Sequence, residues 1–274
     1  MARKLFCEIS PFTYRLSVLK CIAVRNIKNI KLRKHFAKQK SPEELPYLIY
    51  KHSSIIRRKL ANVDETLQEN KAVNLSLSTK KVTGILIKPG EVFSFWNLVG
   101  NVSAKAGYKD GLVISKGHVG KGVGGGLCQF TNLIHWMVLH TPLTITEHHH
   151  HDGYDLFPDY NRQIPFGTGT SILYNYLDYR FKNNTDKTYQ ILVYVTEDEL
   201  IGEIRADKPQ PYRYDIHVEN EFFSLENGVV YRNGEVSRET FCVDTGKCIE
   251  KEIIRKNHAK VLYDTSGLDV VEIL

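Results

Sequence analysis

Cys128 closes the most glycine-dense stretch of the chain, Gly117-His118-Val119-Gly120-Lys121-Gly122-Val123-Gly124-Gly125-Gly126-Leu127-Cys128-Gln129, in which six of the first ten residues are glycine. It also opens a run, Phe130 to His140, whose Leu133, Ile134, Met137 and Val138 recur at helical spacing before Pro142 stops it. A cysteine in the first turn of a helix meets free N–H donors and the positive end of the helix dipole. Both favour thiolate over thiol and so make a nucleophile. Glycine tolerates positive φ and close backbone approach, which lets the N–H groups of Gly124, Gly125 and Gly126 converge on an oxyanion, with Gln129 as a further donor. The plainer reading is a buried cysteine filling a small site where backbone passes close.

A nucleophilic cysteine needs a base. Glu147-His148-His149-His150-His151-Asp152 follows about twenty residues later, after the helix and a short strand. On a strand, His149 and His151 share one face and His148 and His150 the other. A neutral imidazole of this cluster is the candidate base, holding the thiolate as an ion pair and then protonating a leaving group. Two alternatives stand beside this. Four adjacent histidines also make a polar surface turn. They also bind a metal if His118, His135 or Cys128 joins them, although the spacing matches no diagnostic metal pattern. Gly120 to Gly125 fits G-x-G-x-x-G, with Glu147 22 residues further on. Against a dinucleotide site stand the four residues between Ser115 and Gly120 and the lack of helix–strand alternation downstream.

The elements that must position these residues are read from pattern. The chain has 274 residues, 42% hydrophobic and 25% charged, as in an ordinary globular protein with one large or two small domains. No apolar run is long enough to span a membrane, and the first residues lack the apolar core and cleavage site of a signal peptide. The net charge of +6 is uneven: residues 1–40 hold 11 Lys/Arg against Glu8, while the remainder nets −4, which argues against nucleic acid as a partner of the folded body. Residues 13–38 read as a basic amphipathic helix. Such a helix either packs on the domain with its basic face solvated or lies on an anionic membrane surface. Helices are expected over 47–60 and 63–80, a turn at Lys88-Pro89-Gly90, strands over 92–96 and 112–115, and strands and turns from Leu143 onward. Strands are expected over 144–146, 176–182, 189–195 and 201–205, and hairpins over 210–274, with Asn183 to Asp186 and Glu226-Asn227-Gly228 as turns. The five cysteines imply no disulfide framework. Cys242 and Cys248 read as unpaired hairpin thiols.

Gly124-Gly125-Gly126-Leu127-Cys128-Gln129, followed by a helix and then Glu147 with histidines, resembles the VanW family. Lys88 to Phe95, Gly107 to Asp110, and Leu177 to Thr185 are similar to other segments of the same domain, so the resemblance covers roughly residues 85–195. It implies a Gram-positive protein connected with glycopeptide resistance or cell-wall metabolism, with Cys128, Gln129 and His151 at the family's motif positions. It thereby implies His151 for the role of base, with His149 as a second histidine. It supplies no reaction. Many members carry an Asp in a Gly-x-Asp-Ala-Thr segment where this chain reads Gly167-Thr168-Gly169-Thr170-Ser171, which leaves Asp178, Asp152 or a backbone carbonyl to orient the histidine.

The expected fold is α+β: a basic amphipathic helical segment over 1–40, a VanW-like domain over 41–205 with a Gly-rich loop leading to a Cys-bearing helix, and an antiparallel β-rich extension over 206–274. The leading function is thiol-dependent acyl transfer or hydrolysis on a cell-wall peptide or precursor, with no cofactor. The alternatives are a non-catalytic cell-wall ligand-binding module and a His/Cys metal site. The expected location is cytoplasmic or peripheral at the inner face of the membrane, through residues 13–38.

Overall fold

The computed structural model describes residues 4–57, 64–115, 118–150, 153–159 and 164–272, with the side chains of 115, 118 and 119 left outside the description. The chain opens with helix α1, Pro11–Leu32. Its start follows from chemistry: Ser10 caps it by accepting the Thr13 N–H, and Pro11 occupies the first turn, where no N–H is needed. No residue of α1 is buried. The helix touches the body with polar side chains: Arg25 reaches Glu147, Asn26 reaches Asn175, and Asn29 reaches Arg180. Its apolar residues mostly point outward. The end of the basic segment belongs to the body, because Phe36 is buried and pairs with Val92, and Lys40 pairs with Ile85.

Strand β1, Tyr47–Ile55, stands where a helix over 47–60 is expected. Tyr, Ile, His and Ser at these positions suit a pleated surface, and the edge of β10 offers a row of backbone partners from Tyr47↔Ala206 to Ile55↔Glu199. Local apolar spacing loses to that pairing. The rest of the segment, 58–60, lies outside the described residues. Helix α2, Glu65–Val82, follows with Asp64 as its cap, then β2, Ile85–Ile87, and β3, Val92–Ser94. The short helix α3, Phe95–Val99, takes over the end of the strand expected over 92–96 because the Ser94 hydroxyl caps it. Strands β4, Asp110–Ser115, and β5, His118–Val123, form a hairpin. Gly120 and Gly122 therefore lie within a strand, not in a strand-to-helix phosphate turn.

Helix α4, Cys128–Leu139, is apolar nearly all round and runs through the core. Beyond it come β6, Thr144–Glu147, β7, Tyr154–Asp155, β8, Arg180–Lys182, β9, Tyr189–Val195, and β10, Glu199–Ala206. Only the last three residues of the strand expected over 176–182 are extended. Strands order as β1-β10-β9-β2 in one sheet and β3-β8-β6 in another. Gly202 of β10 is the notch that lets α4 approach the first sheet: a Cβ there would sit 2.6 Å from Met137 and 2.9 Å from Leu133.

The C-terminal part is a sheet of long strands, β11, Tyr212–Glu226, β12, Val229–Cys242, and β13, Cys248–Val261, with β14, Val270–Glu272, and β7 on its edges. Asn227 and Gly228, both at positive φ, make the tight turn between β11 and β12. Cys242 and Cys248 flank the next turn as free thiols. The fold is α+β with a β-rich C-terminal part, as expected.

The glycine turn before α4 is fixed by one backbone contact. A Cβ on Gly125 would sit 2.2 Å from the carbonyl carbon of Gly111, and a Cβ on Gly111 would sit 2.4 Å from the Gly125 oxygen. Neither backbone can move without shifting the β4–β5 hairpin. Gly125→Ala is expected to destabilise the protein by about 3 kcal/mol, read as a lower denaturant midpoint; an unchanged midpoint would mean the hairpin does not depend on this approach.

Candidate functional site

Cys128 occupies the first position of α4, half-buried. Burial pushes its thiol up from the ordinary value, outweighing the backbone amides of Ile172 and Cys128, which pull the other way. The expectation of a thiolate from helix-terminal charge alone is thus corrected: with water removed from the site, desolvation of the charged form outweighs two amide dipoles.

The residues expected to form the oxyanion loop hold the thiol in place instead. Gly124, Gly125 and Gly126 donate their N–H groups to the carbonyls of Lys109, Gly122 and Leu112, each at 2.9 Å. Gly124 and Gly126 have φ of 77° and 89°, the region where only glycine is unstrained. Gln129 gives its amide hydrogens to the Ser54 hydroxyl, at 2.8 Å, and the Ile55 carbonyl, at 2.9 Å. Its role here is to tie the start of α4 to β1.

The segment 168–172 lies between the cysteine and the histidine run. Thr131 and Thr170 share a short hydroxyl contact, and both approach the Cys128 carbonyl. Asn132 accepts from the Thr170 N–H at 2.6 Å and from its hydroxyl at 2.8 Å. One residue on, Ser171 donates to the His149 carbonyl at 2.7 Å, and the next residue, Ile172, is the one whose amide pulls against the raised thiol. The fold therefore brings the histidine run that follows β6 beside the start of α4. His151 and Asp152 lie outside the described residues, and so does the pairing of Cys128 with His151.

His149 is held by a carboxylate that sequence reasoning did not assign to it. Its Nε2 lies 2.9 Å from Glu147 Oε1. The signal was present only as nearness: Glu147 stands two residues before His149 in the chain. Glu147 also receives two hydrogen bonds of 2.6 Å from Arg25 and one of 3.0 Å from the Asp178 N–H. Burial alone would raise the Glu147 carboxyl; the bonds from Arg25, His149 and Asp178 outweigh it and hold it below its ordinary value. Asp178 does not orient a histidine among the described contacts. Its carboxylate is engaged by the Ser94 hydroxyl, the N–H groups of Trp96 and Tyr179, and Arg180. Arg25, Asn132 and Thr170 left no local trace in the sequence, because their partners are distant along the chain.

Two imidazole rings of the histidine run and that of His135 on α4 lie close together at tilted angles. The rings of His135 and His148 lie 4.1 Å apart and those of His148 and His150 3.8 Å apart. His135 Nδ1 meets the Tyr179 hydroxyl at 3.0 Å, and His148 Nε2 meets the Gly169 carbonyl at 3.2 Å. Burial, followed by the neighbouring imidazoles, drives His135 far down and His148 down to about 3. These rings line a cavity of about 220 Å³ whose far wall is Val236 of β12 and Ile254 and Arg255 of β13. Among the described residues, no group of three or more His, Cys, Asp or Glu side chains is arranged to hold a metal ion.

A family model described as VanW like protein matches residues 70–205. The chain is 36% identical over 228 residues to the vancomycin B-type resistance protein VanW of Enterococcus faecalis, a stretch covering 83% of this chain and 82% of that protein. It is 30% identical over 118 residues to the uncharacterized protein YoaR of Bacillus subtilis, covering 42% of this chain and 36% of YoaR. No solved structure matches.

The buried imidazoles of His135 and His148 make stability pH-dependent. A histidine whose folded pKa is depressed leaves stability intact above the unfolded value of 6.5 and removes it as pH falls below that, because only the unfolded chain takes up the proton. His148 alone is expected to cost about 1.4 kcal/mol per pH unit between pH 6 and 4. Unfolding curves at pH 7, 6, 5 and 4 should fall steeply in the wild type and less steeply in His148→Gln; equal slopes would remove His148 as a source.

Proposed function

The chain belongs to the VanW-like family, and from that premise we propose that it is a vancomycin-resistance-associated protein that carries out acyl transfer or hydrolysis through the Cys128 thiol on a cell-wall peptide or its precursor. The observation that carries this reading is the placing of the 168–172 segment between the start of α4, which it meets at Cys128 and Asn132, and the histidine run, where Glu147 steadies His149. Since burial favours the neutral thiol, the imidazole acts as a general base during attack and not as the partner of a resting thiolate. The sulfur attacks the peptide carbonyl carbon as an imidazole of the run, His151 by its motif position or His149 by its carboxylate, takes the thiol proton. The carbonyl oxygen becomes an oxyanion within reach of the Cys128 and Ile172 amides, a role first expected of the glycine amides and Gln129. The carbon–nitrogen bond then breaks, the imidazole returns the proton to the leaving amine, and the thioester passes to an amine or to water.

A second reading, the non-catalytic ligand-binding module, is favoured by the raised thiol and by the cavity lined by His135, His148 and His150, the first two held neutral by burial and able both to donate and to accept hydrogen bonds from a peptide.

One experiment separates the two. The full chain is incubated with a synthetic cell-wall stem peptide and analysed by intact-mass spectrometry, with peptide binding measured in parallel. The enzyme reading expects an acyl adduct on Cys128, absent in Cys128→Ala and formed about 100-fold more slowly in whichever of His151→Ala and His149→Ala removes the base. Equal binding by wild type and Cys128→Ala with no adduct supports the module instead. Alkylation of Cys128 in the resting protein is expected to show a midpoint above the roughly 8.5 of a free thiol; a midpoint well below it would restore the ion-pair form of the mechanism.

A further inference from the structure

We propose that the outward face of α1 docks the protein on an anionic lipid surface, a role independent of the reading of the Cys128 site. The helix is amphipathic in the opposite sense to an ordinary packed helix. Arg25, Asn26 and Asn29 face the body and are engaged there by Glu147, Asn175 and Arg180. At about 100° per residue, Phe12, Leu16, Leu19, Ala23, Ile27 and Ile30 fall within an arc of about 80° on the other side. All six are exposed, Phe12 at 69% and Ile30 at 71%. Leu5, Phe6 and Ile9, just before the helix, are exposed as well. A contiguous apolar surface of this kind marks an interaction site. The body does not cover it, because the helix meets the body on another side, through Arg25, Asn26 and Asn29 with part-buried Val18 and Ile22 among them.

Charge decides what covers it. On the same helical projection, Lys20 and Lys31 border the apolar arc on one side and Arg15 on the other. No acidic residue occurs in α1, and residues 1–40 carry 11 basic residues against one acidic. An apolar stripe between basic margins places hydrocarbon below the headgroups and cations among anionic phosphates. A second copy of this chain fits poorly, since it would bring two strongly positive segments together. No helix of the described residues is long and apolar enough to cross a membrane, so the contact is peripheral on the part of α1.

The same contacts fix the geometry of docking. Arg25 and His149 meet on one carboxylate, Glu147, so the helix that lies on the lipid also sets the distance of the start of the histidine run from it.

The test is flotation of the full chain with vesicles of phosphatidylcholine alone or mixed equally with phosphatidylglycerol. Wild type is expected to float with the anionic vesicles, at least ten times more weakly with neutral ones, and less as salt rises. Leu19→Glu/Ile27→Glu removes the stripe, and Lys20→Glu/Lys31→Glu reverses one margin; each is expected to cut binding at least tenfold. All four positions are exposed, and an unchanged unfolding midpoint confirms that each variant is folded. The proposal is overturned if wild type stays unbound, if neutral and anionic vesicles bind equally, or if both variants bind as wild type does. It is also overturned if Leu19→Glu/Ile27→Glu instead abolishes a concentration-dependent dimer of a chain that ignores vesicles.

Discussion

Four side chains of alternating charge join elements that are far apart in the chain. Arg25 of α1 lies 2.6 Å from Glu147 at the end of β6; Glu147 lies 3.5 Å from Arg180 of β8; and Arg180 lies 2.7 Å from Asp178. Asp178 in turn accepts the N–H of Trp96 and the hydroxyl of Ser94, which starts α3. Such a row is costly to remove from water unless each charge has partners on both sides. Here the two inner members, Glu147 and Arg180, have them, and the ends are completed by backbone groups and amides. Deleting a member strands a buried charge, so the row fixes where α1 lies and where the histidine run starts.

The glycine turn makes a different kind of constraint. Its amides are consumed by the carbonyls of β4, β5 and the loop before them, and its carbon skeleton is pressed against Gly111. The result is a rigid platform under the first turn of α4. Beside Cys128 the 168–172 segment meets the start of α4, so the candidate site is assembled from two chain segments and not from one loop.

Much of this was legible in the sequence, where the signals were local. The buried helix after Cys128, the turn at Asn227-Gly228, the C-terminal hairpins and the α+β class all follow from periodicity and turn chemistry. What was not legible depends on partners far away. The residues 47–55 carry apolar spacing that suits a helix, and the free edge of β10 recruits them as a strand. Helix α1 has the period expected, yet the side it presents to the body is set by Glu147, Asn175 and Arg180, more than a hundred residues downstream. That α4 starts at Cys128 was legible, but the burial that pushes its thiol up has no sequence signature. Gly125 in contact with Gly111 is likewise invisible until β4 and β5 pair.

Because no side chain of α1 is buried, the helix is fastened by charge and hydrogen bonds rather than by a hydrophobic seam. Its release would expose little new apolar surface, and the denaturant sensitivity of that opening is correspondingly small. Salt weakens the outer ion pair but hardly touches the core beneath. Helix α1 is thus a separate cooperative unit: its amides exchange with solvent through openings of shallow denaturant slope, while those of α4 wait for global unfolding.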